Sequence, residues 1–200
     1  MKSWRTILFF AAALSAAFAS VPQLAAQKAG TSPSNATDTM QPQKPKILIV
    51  YYSRTGNTRA VAQALAAQLG ADIEEIVDTK NRKGIFGWLG AGKDASQKKT
   101  TVIGPTTKDP ANYDLVVLGT PIWSWSMTPA IRTYIEANRE KFKKVAFFCT
   151  MGKNGDVKTF AAMAELCGRK PAASLAVRAE EVKIRQYQSG INKFAAELLR

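Results

Sequence analysis

Ile47-Leu-Ile-Val-Tyr-Tyr52 runs straight into Ser53-Arg-Thr-Gly-Asn-Thr58, and Arg59–Leu69 follows with Val61, Leu65 and Leu69 at helical spacing. An unbroken apolar run with no polar alternation is the pattern of a strand covered on both faces. A strand that feeds a helix through a short polar turn is the first half of a βαβ unit. The start of such a helix presents unpaired N–H groups and the positive end of its dipole, so the turn suits an anion. Ser53, Thr55, Asn57 and Thr58 add side-chain donors, Arg54 lies among them, and Gly56 lets the backbone approach closely. A phosphomonoester is the ligand such a nest holds. The plainer alternative is that these residues only cap the helix and turn the chain.

Outward from this stretch, short apolar runs alternate with helical patterns. They are Ile73–Val77, Leu115–Leu118, Pro129–Ala137, Val145–Cys149, Val157–Cys167, Ala173–Val177 and Ile191–Leu199, with Thr79–Thr101 reading as an irregular, basic, Gly-containing excursion. That alternation predicts a parallel sheet flanked by helices. Two hundred residues at 46% hydrophobic composition suit one such domain, residues 46–200, and leave no room for a second.

Residues 1–19 read as a signal peptide: Lys2 and Arg5, an apolar stretch from Ile7 to Phe18, and the small-residue site Ala17-Phe18-Ala19 before Ser20. The expected destination is export, to the periplasm or the medium. The alternative is an uncleaved anchor continuing to Ala26. Ser15, Ser20, Pro22 and Gln23 count against it, because a span needs ~20 predominantly apolar residues. Residues 20–45, rich in Ala, Ser, Thr, Pro and Gln, read as a disordered linker.

Charge and residue counts remove several function classes. The net charge is +13, and only Lys2 and Arg5 precede Lys28, so the folded part is itself basic. The cations are spread along the chain instead of forming an aromatic-interleaved stripe, which argues against nucleic acid and leaves an acidic partner or an anionic membrane surface. With no histidine, Ser-His-Asp and Cys-His machinery and imidazole-rich metal sites are excluded. Two cysteines cannot supply an iron–sulfur cluster or a structural zinc, so no metal site is expected and redox chemistry must come from a bound cofactor. Cys149 and Cys167, a strand end and the far end of the following helix, would lie ~15 Å apart at ~1.5 Å per helical residue, beyond the ~7 Å Cα limit for a disulfide. Both read as buried small apolar residues. Gly87-Trp-Leu-Gly-Ala-Gly92-Lys93 imitates a nucleotide P-loop. However, Asp94 stands where a magnesium-binding hydroxyl belongs, and Lys80-Asn-Arg-Lys83 stands where a strand belongs.

Two further loops carry candidate site residues. The run Leu115–Leu118 opens into Gly119-Thr-Pro-Ile-Trp-Ser-Trp-Ser-Met127, before a helix with Thr128 as cap and Pro129 as first residue. Tryptophans in so short a loop either present an aromatic plane to a ligand or pack beside the helix; Trp123 and Trp125 divide these roles in either order. The turn Thr150-Met-Gly-Lys-Asn-Gly-Asp156 follows the run Val145–Cys149, and taken alone it is ordinary loop chemistry.

Ile47–Leu69 resembles the first βα unit of flavodoxins, whose phosphate loop has a T/S-x-T-G-x-T pattern that Ser53–Thr58 satisfies at every fixed position. Gly119-Thr-Pro-Ile-Trp123 is similar to the family's G-x-P-x-W-like second loop, and Thr150–Gly155 to its T-x-G-containing third turn. The resemblance covers about residues 46–200. It implies a three-layer α/β/α sandwich on a five-stranded parallel sheet of order 2-1-3-4-5, with the ligand at the switch point between the first and third strands. It also implies FMN, with the phosphate on Ser53, Arg54, Thr55, Gly56, Asn57 and Thr58. The ring would sit between Thr120, Pro121, Ile122, Trp123, Ser124 and Trp125 on one side and Thr150, Met151, Gly152, Lys153, Asn154 and Gly155 on the other. No residue of the chain itself is assigned a catalytic role, because the flavin would do the electron chemistry.

The activity implied is electron transfer through bound flavin, served by a redox partner protein. One alternative is an FMN-dependent NAD(P)H:quinone oxidoreductase using small soluble substrates; the lack of a G-x-G-x-x-G fingerprint does not decide against it. Another is a flavin-free, envelope-associated binding module, which the expected export raises because FMN is made inside the cell. Soluble flavodoxin shuttles tend to be acidic. The basic balance here departs from them and suits an acidic partner.

Overall fold

The computed structural model describes residues 44–82 and 84–200. The signal peptide expected over 1–19, and the linker over 20–45 except Lys44 and Pro45, lie outside the described residues. Among the described residues no helix is long and apolar enough to cross a membrane, and no group of three or more His, Cys, Asp or Glu could hold a metal ion.

The apolar run at 47 becomes β1 (Ile47–Tyr51), buried along its whole length. Successive side chains of a strand point to opposite faces. Accordingly Leu48 and Val50 enter one core cluster, while Ile47, Ile49 and Tyr51 enter the other. This two-sided burial is why β1 shows no alternation of polar and apolar residues. β1 pairs in parallel with β2 (Asp72–Glu75) on one side and β3 (Leu115–Pro121) on the other. β4 (Val145–Met151) pairs with β3, and β5 (Ser174–Arg178) with β4, both in parallel. The sheet is therefore five-stranded in the order 2-1-3-4-5, the expected α/β architecture.

Helices fill both faces. α1 (Asn57–Leu69) buries Val61, Ala62, Leu65 and Leu69 in the Ile49 cluster, joined there by Val182 of α5 (Ala179–Lys183) and by Ile191 and Phe194 of α6 (Gln188–Leu198). α3 (Pro129–Asn138) and α4 (Asp156–Cys167) cover the Leu48 face with Ile131, Tyr134, Ile135, Met163 and Cys167.

Three features differ from the sequence reading. The stretch expected to be irregular contains α2 (Gly84–Ser96), a helix of 13 residues. A parallel step from β2 to β3 needs a crossover, which a helix usually supplies. Four glycines at 84, 87, 90 and 92 dilute its apolar pattern. One of them is a packing necessity: a Cβ on Gly87 would lie 2.5 Å from the Arg82 carbonyl carbon. The P-loop look-alike lies inside this helix, so its N–H groups face along the helix and form no loop around a phosphate. Second, β3 and β4 run on to Pro121 and Met151, so Thr120, Pro121, Thr150 and Met151 are strand residues; the ladder pairs Thr120 with Cys149 and Pro121 with Thr150. Third, Gly119 lies within β3 and does not open the loop. An added Cβ would lie 2.0 Å from the Phe148 ring, so the glycine is there to let that ring cross the sheet face. Cys149 and Cys167 are free and buried, and burial pushes both thiols up to about 12, which leaves them unreactive.

Candidate functional site at the carboxyl edge of the sheet

β1, β3 and β4 all point their carboxyl ends to one edge, and the strand ends, the loops that follow them and the first turn of α1 hold every residue singled out from the sequence. The first loop, Tyr52–Gly56, is closed by its own serine. Ser53 Oγ accepts from the Gly56 N–H and the Arg59 N–H, both at 3.2 Å. It thereby does the work of a cap for α1, because the cap position itself is Gly56, with φ +94 and no side chain. Between the two capped groups lie the N–H groups of Asn57 and Thr58, which a helix leaves to an outside partner. A Cβ added at Gly56 would meet nothing within 4 Å, so the turn is open on its outer side.

Thr58 does not face that opening. It is buried, and its Oγ1 bonds Thr150 Oγ1 at 2.8 Å, tying the first loop to the end of β4. Thr120 is equally withdrawn: its Oγ1 accepts from the Thr128 N–H at 3.1 Å and supports the start of α3. At these three threonines the side chains hold the edge together, and a ligand is left with main-chain groups. Ser53, Arg54 and Asn57 are half-buried and Thr55 is exposed, so they can meet a ligand directly.

The second and third loops, between which the sequence reading placed the ring, are in contact. Trp123 and Ser126 exchange two main-chain hydrogen bonds of 3.0 Å, and the residues between them, Ser124 and Trp125, have φ of +47 and +57. Positive φ at both central positions is the hand of the type I′ turn, which matches strand twist but favours Asn-Gly. This turn carries Trp125 out to 60% exposure, and its indole Nε1 donates to Asn154 Oδ1 at 3.0 Å. Gly155, at φ +113, lies so close that a Cβ there would be 3.2 Å from Ile122 and 3.3 Å from the Trp125 ring. Trp123 has the other role: half-buried, it packs edge-on to Tyr52 at 5.6 Å with the Arg82 guanidinium over its ring at 5.7 Å. Met151 is half-buried, whereas Gly152 and Lys153 are exposed, and Lys153 stands in solvent.

A cavity of about 780 Å³ opens on the first loop from the side of β2, lined by Tyr52–Thr55, Arg59 and the segment 75–82. Sequence reasoning missed this wall, although it did single out the stretch 79–101 as basic. Arg82 is its centre. Its side chain is 4% exposed, pairs with Asp78 and with Asp94 (3.0 Å), and its main-chain oxygen accepts from Arg54 Nε at 3.1 Å. Arg82 Nη2 is buried with no hydrogen-bond partner among the described residues. Lys80 reaches Asp94 at 2.7 Å, and that hydrogen bond, backed by Arg82 and opposed by burial, holds the Asp94 carboxyl below the usual carboxylate range. Arg59 grips Glu75 through two nitrogens at 2.9 and 2.6 Å. Tyr51 also donates to Glu75, its hydroxyl pushed up to about 12 by burial first and by that carboxylate second. The wall carries Arg54, Arg59, Lys80 and Arg82 against Glu75 and Asp78, a cationic surround for an anion.

The family model for flavodoxins matches residues 46–176. Among solved structures, a flavoprotein from Lactobacillus acidophilus in complex with FMN is 21% identical, over 72% of this chain and 98% of that one, with a TM-score of 0.59. The apo form of a flavoprotein from the same organism, determined by NMR, is 22% identical over 70% and 95%, at 0.53. A candidate flavoprotein from Bacteroides eggerthii is 25% identical over 74% and 98%, at 0.58.

Proposed function

The chain belongs to the flavodoxin family, and from that premise we propose that it binds FMN at the carboxyl edge of its sheet and passes electrons through it. The observation that carries the proposal is the Ser53–Thr58 turn, a helix start whose Asn57 and Thr58 N–H groups are left between those that Ser53 caps, open on its outer side and bordered by a cationic cavity of about 780 Å³. That volume lies within the ~300–1,000 Å³ of small-molecule sites. The orphaned Arg82 Nη2 on the same wall is a buried donor that an anionic ligand would satisfy. The fold is shared with a flavoprotein solved with FMN.

The N–H groups of Asn57 and Thr58, the hydroxyl of Thr55 and the charge of Arg54 would hold the phosphate. Trp125 and the 152–155 turn would hold the ring, Trp125 supplying an exposed aromatic plane already projected from the edge. Bound flavin supplies reversible electron uptake and release. The chain's own part is to bind, orient and shield. Trp123, Tyr52 and Ile122 keep water from the floor of the site, while the Thr58 and Thr150 hydroxyls lock the first loop to β4 so that both contact zones move as one. A ring entering between the second and third loops must displace the hydrogen bond from Trp125 to Asn154. The cations around the first loop favour an acidic redox partner.

The test is an absorbance spectrum of the full chain after incubation with FMN and desalting, beside a Trp125→Ala copy. Retained flavin bands that weaken in the variant support the site. A colourless wild type refutes it and leaves a flavin-free binding module. Turnover of NAD(P)H with a soluble quinone by the loaded chain would replace the carrier reading with a reductase.

A further inference from the structure

A second cavity, of about 280 Å³, lies between α3 and α4 and is closed by the chain just past α2; it shares no lining residue with the cavity at the first loop. Arg132 of α3 lines it. The residue is 6% exposed, and its Nε and Nη2 are buried with no hydrogen-bond partner among the described residues. The carboxylate that acts on it, Glu136 on the next turn of α3, forms no ion pair with it, and burial pushes the guanidinium pKa down from the usual arginine value. Two guanidinium nitrogens removed from water without a partner are a costly arrangement for a fold to keep.

Two more cations border the same space. Arg139 comes from the end of α3, and Lys98 from the turn after α2. That turn closes with the Lys98 N–H on the Ala95 oxygen and the Lys99 N–H on the Asp94 oxygen, both at 3.0 Å, and places Lys98 at φ +54. Glycine is the usual residue there, so this lysine occupies a position its backbone disfavours. Among the described residues that line the cavity, the one carboxylate is the exposed Glu165. Arg139 Nε is already paired with the exposed Glu140 at 3.3 Å, so Arg132 and Lys98 against Glu165 carry the surplus positive charge of the lining.

We propose that this cavity is a second anion site, independent of the flavin, that takes a dianionic oxyanion of the phosphate-monoester class on Arg132, Lys98 and Arg139. Arg132 supplies the desolvated, directional contact through its two unpaired nitrogens, and the other two cations supply attraction from the rim. A phosphate dianion meets the surplus positive charge of the lining and satisfies both orphaned donors. A neutral ligand does neither.

The test is calorimetric titration of the full chain with inorganic phosphate and, separately, with glycerol 3-phosphate, at constant ionic strength. Losing a charge-assisted hydrogen bond corresponds to ~10–100-fold in affinity. Arg132→Met should therefore weaken binding by at least about tenfold, and Lys98→Ala and Arg139→Ala by about three- to tenfold each. The binding must survive Gly56→Ala, which perturbs the first loop. Tighter binding of the ester identifies a phosphorylated metabolite as the ligand, and equal binding identifies free phosphate. If neither probe binds, or if binding follows the Gly56 substitution and ignores the three cations, the proposal is overturned. Should Arg132→Met fail to fold, the exposed Lys98 and Arg139 variants decide the matter alone.

Discussion

Replacing Ser124-Trp125 by Asn-Gly should stabilise the ligand-free chain while weakening its hold on FMN. Both residues sit at positive φ, +47 and +57, between the two 3.0 Å hydrogen bonds that join Trp123 and Ser126. A left-handed conformation costs a non-glycine residue roughly 1–2 kcal/mol, so Asn-Gly, the pair such turns prefer, relieves roughly 2–3 kcal/mol. Against this stand the extra unfolded-state entropy of glycine, about 0.5–1 kcal/mol, and the exposed bond from Trp125 to Asn154, about 0.5–1.5 kcal/mol. The net is a gain of about 1 kcal/mol, or a rise in Tm of ~2–4 °C for a domain of this size. Losing an aromatic stacking plane costs about 1–3 kcal/mol of binding by analogy with stacked bases, so FMN affinity should fall ~10–100-fold. One sample serves both readings: a thermal melt without flavin, then a flavin-fluorescence titration. A lower Tm in the ligand-free variant would show that the turn stores no strain. Unchanged FMN affinity would show that Trp125 does not touch the ring.

Thr58→Val strands the buried Thr150 hydroxyl and should cost about 1–3 kcal/mol in urea unfolding. Adding Thr150→Val should cost less than the sum of the two single changes, because the pair is coupled. Gly119→Ala drives a methyl into the Phe148 ring and should cost upwards of about 3 kcal/mol, seen as loss of soluble chain; Phe148→Leu in the same chain should recover part of it. Asp94→Asn removes a partner from Arg82 and Lys80 and should cost about 2 kcal/mol at neutral pH, below the full value for a buried pair because Lys80 is 56% exposed. The Asp94 carboxyl is held below its ordinary pKa, so its contribution is complete above about pH 4 and is lost as pH falls through the lower folded value. The stability gap between wild type and variant, followed by urea melts across acid pH, should therefore stay constant to about pH 4 and close below it. A gap that widened in acid would contradict the assignment.

Much of this molecule was legible along the chain. The unbroken apolar runs of β1, β3 and β4, the helical spacing of Val61, Leu65 and Leu69, and the strand–helix alternation are local periodicities. A two-sided parallel sheet with flanking helices follows from them, because backbone geometry alone sets periods of 2.0 and 3.6. The hydroxyl-rich turn at Ser53–Thr58 and the paired tryptophans were legible for the same reason: their chemistry is written in adjacent residues. α2 was not, because its glycines answer to the neighbouring backbone, as the approach of Gly87 to Arg82 shows. What a side chain faces was not legible either. Thr58 turns inward to a hydroxyl 92 residues away, Trp125 swings out to Asn154 while Trp123 folds back on Tyr52, and Arg82 becomes the centre of a cavity wall. Nor could any local pattern mark Arg132, an ordinary residue of an amphipathic helix until α4 and the turn after α2 close over it. Sequence by itself determined the elements other than α2 and the edge at which ligands bind, because periodicity and turn chemistry act between near neighbours. Tertiary structure alone decided which hydroxyls are spent, which rings are shown and which cations are left without partners, because each depends on contacts between segments far apart along the chain.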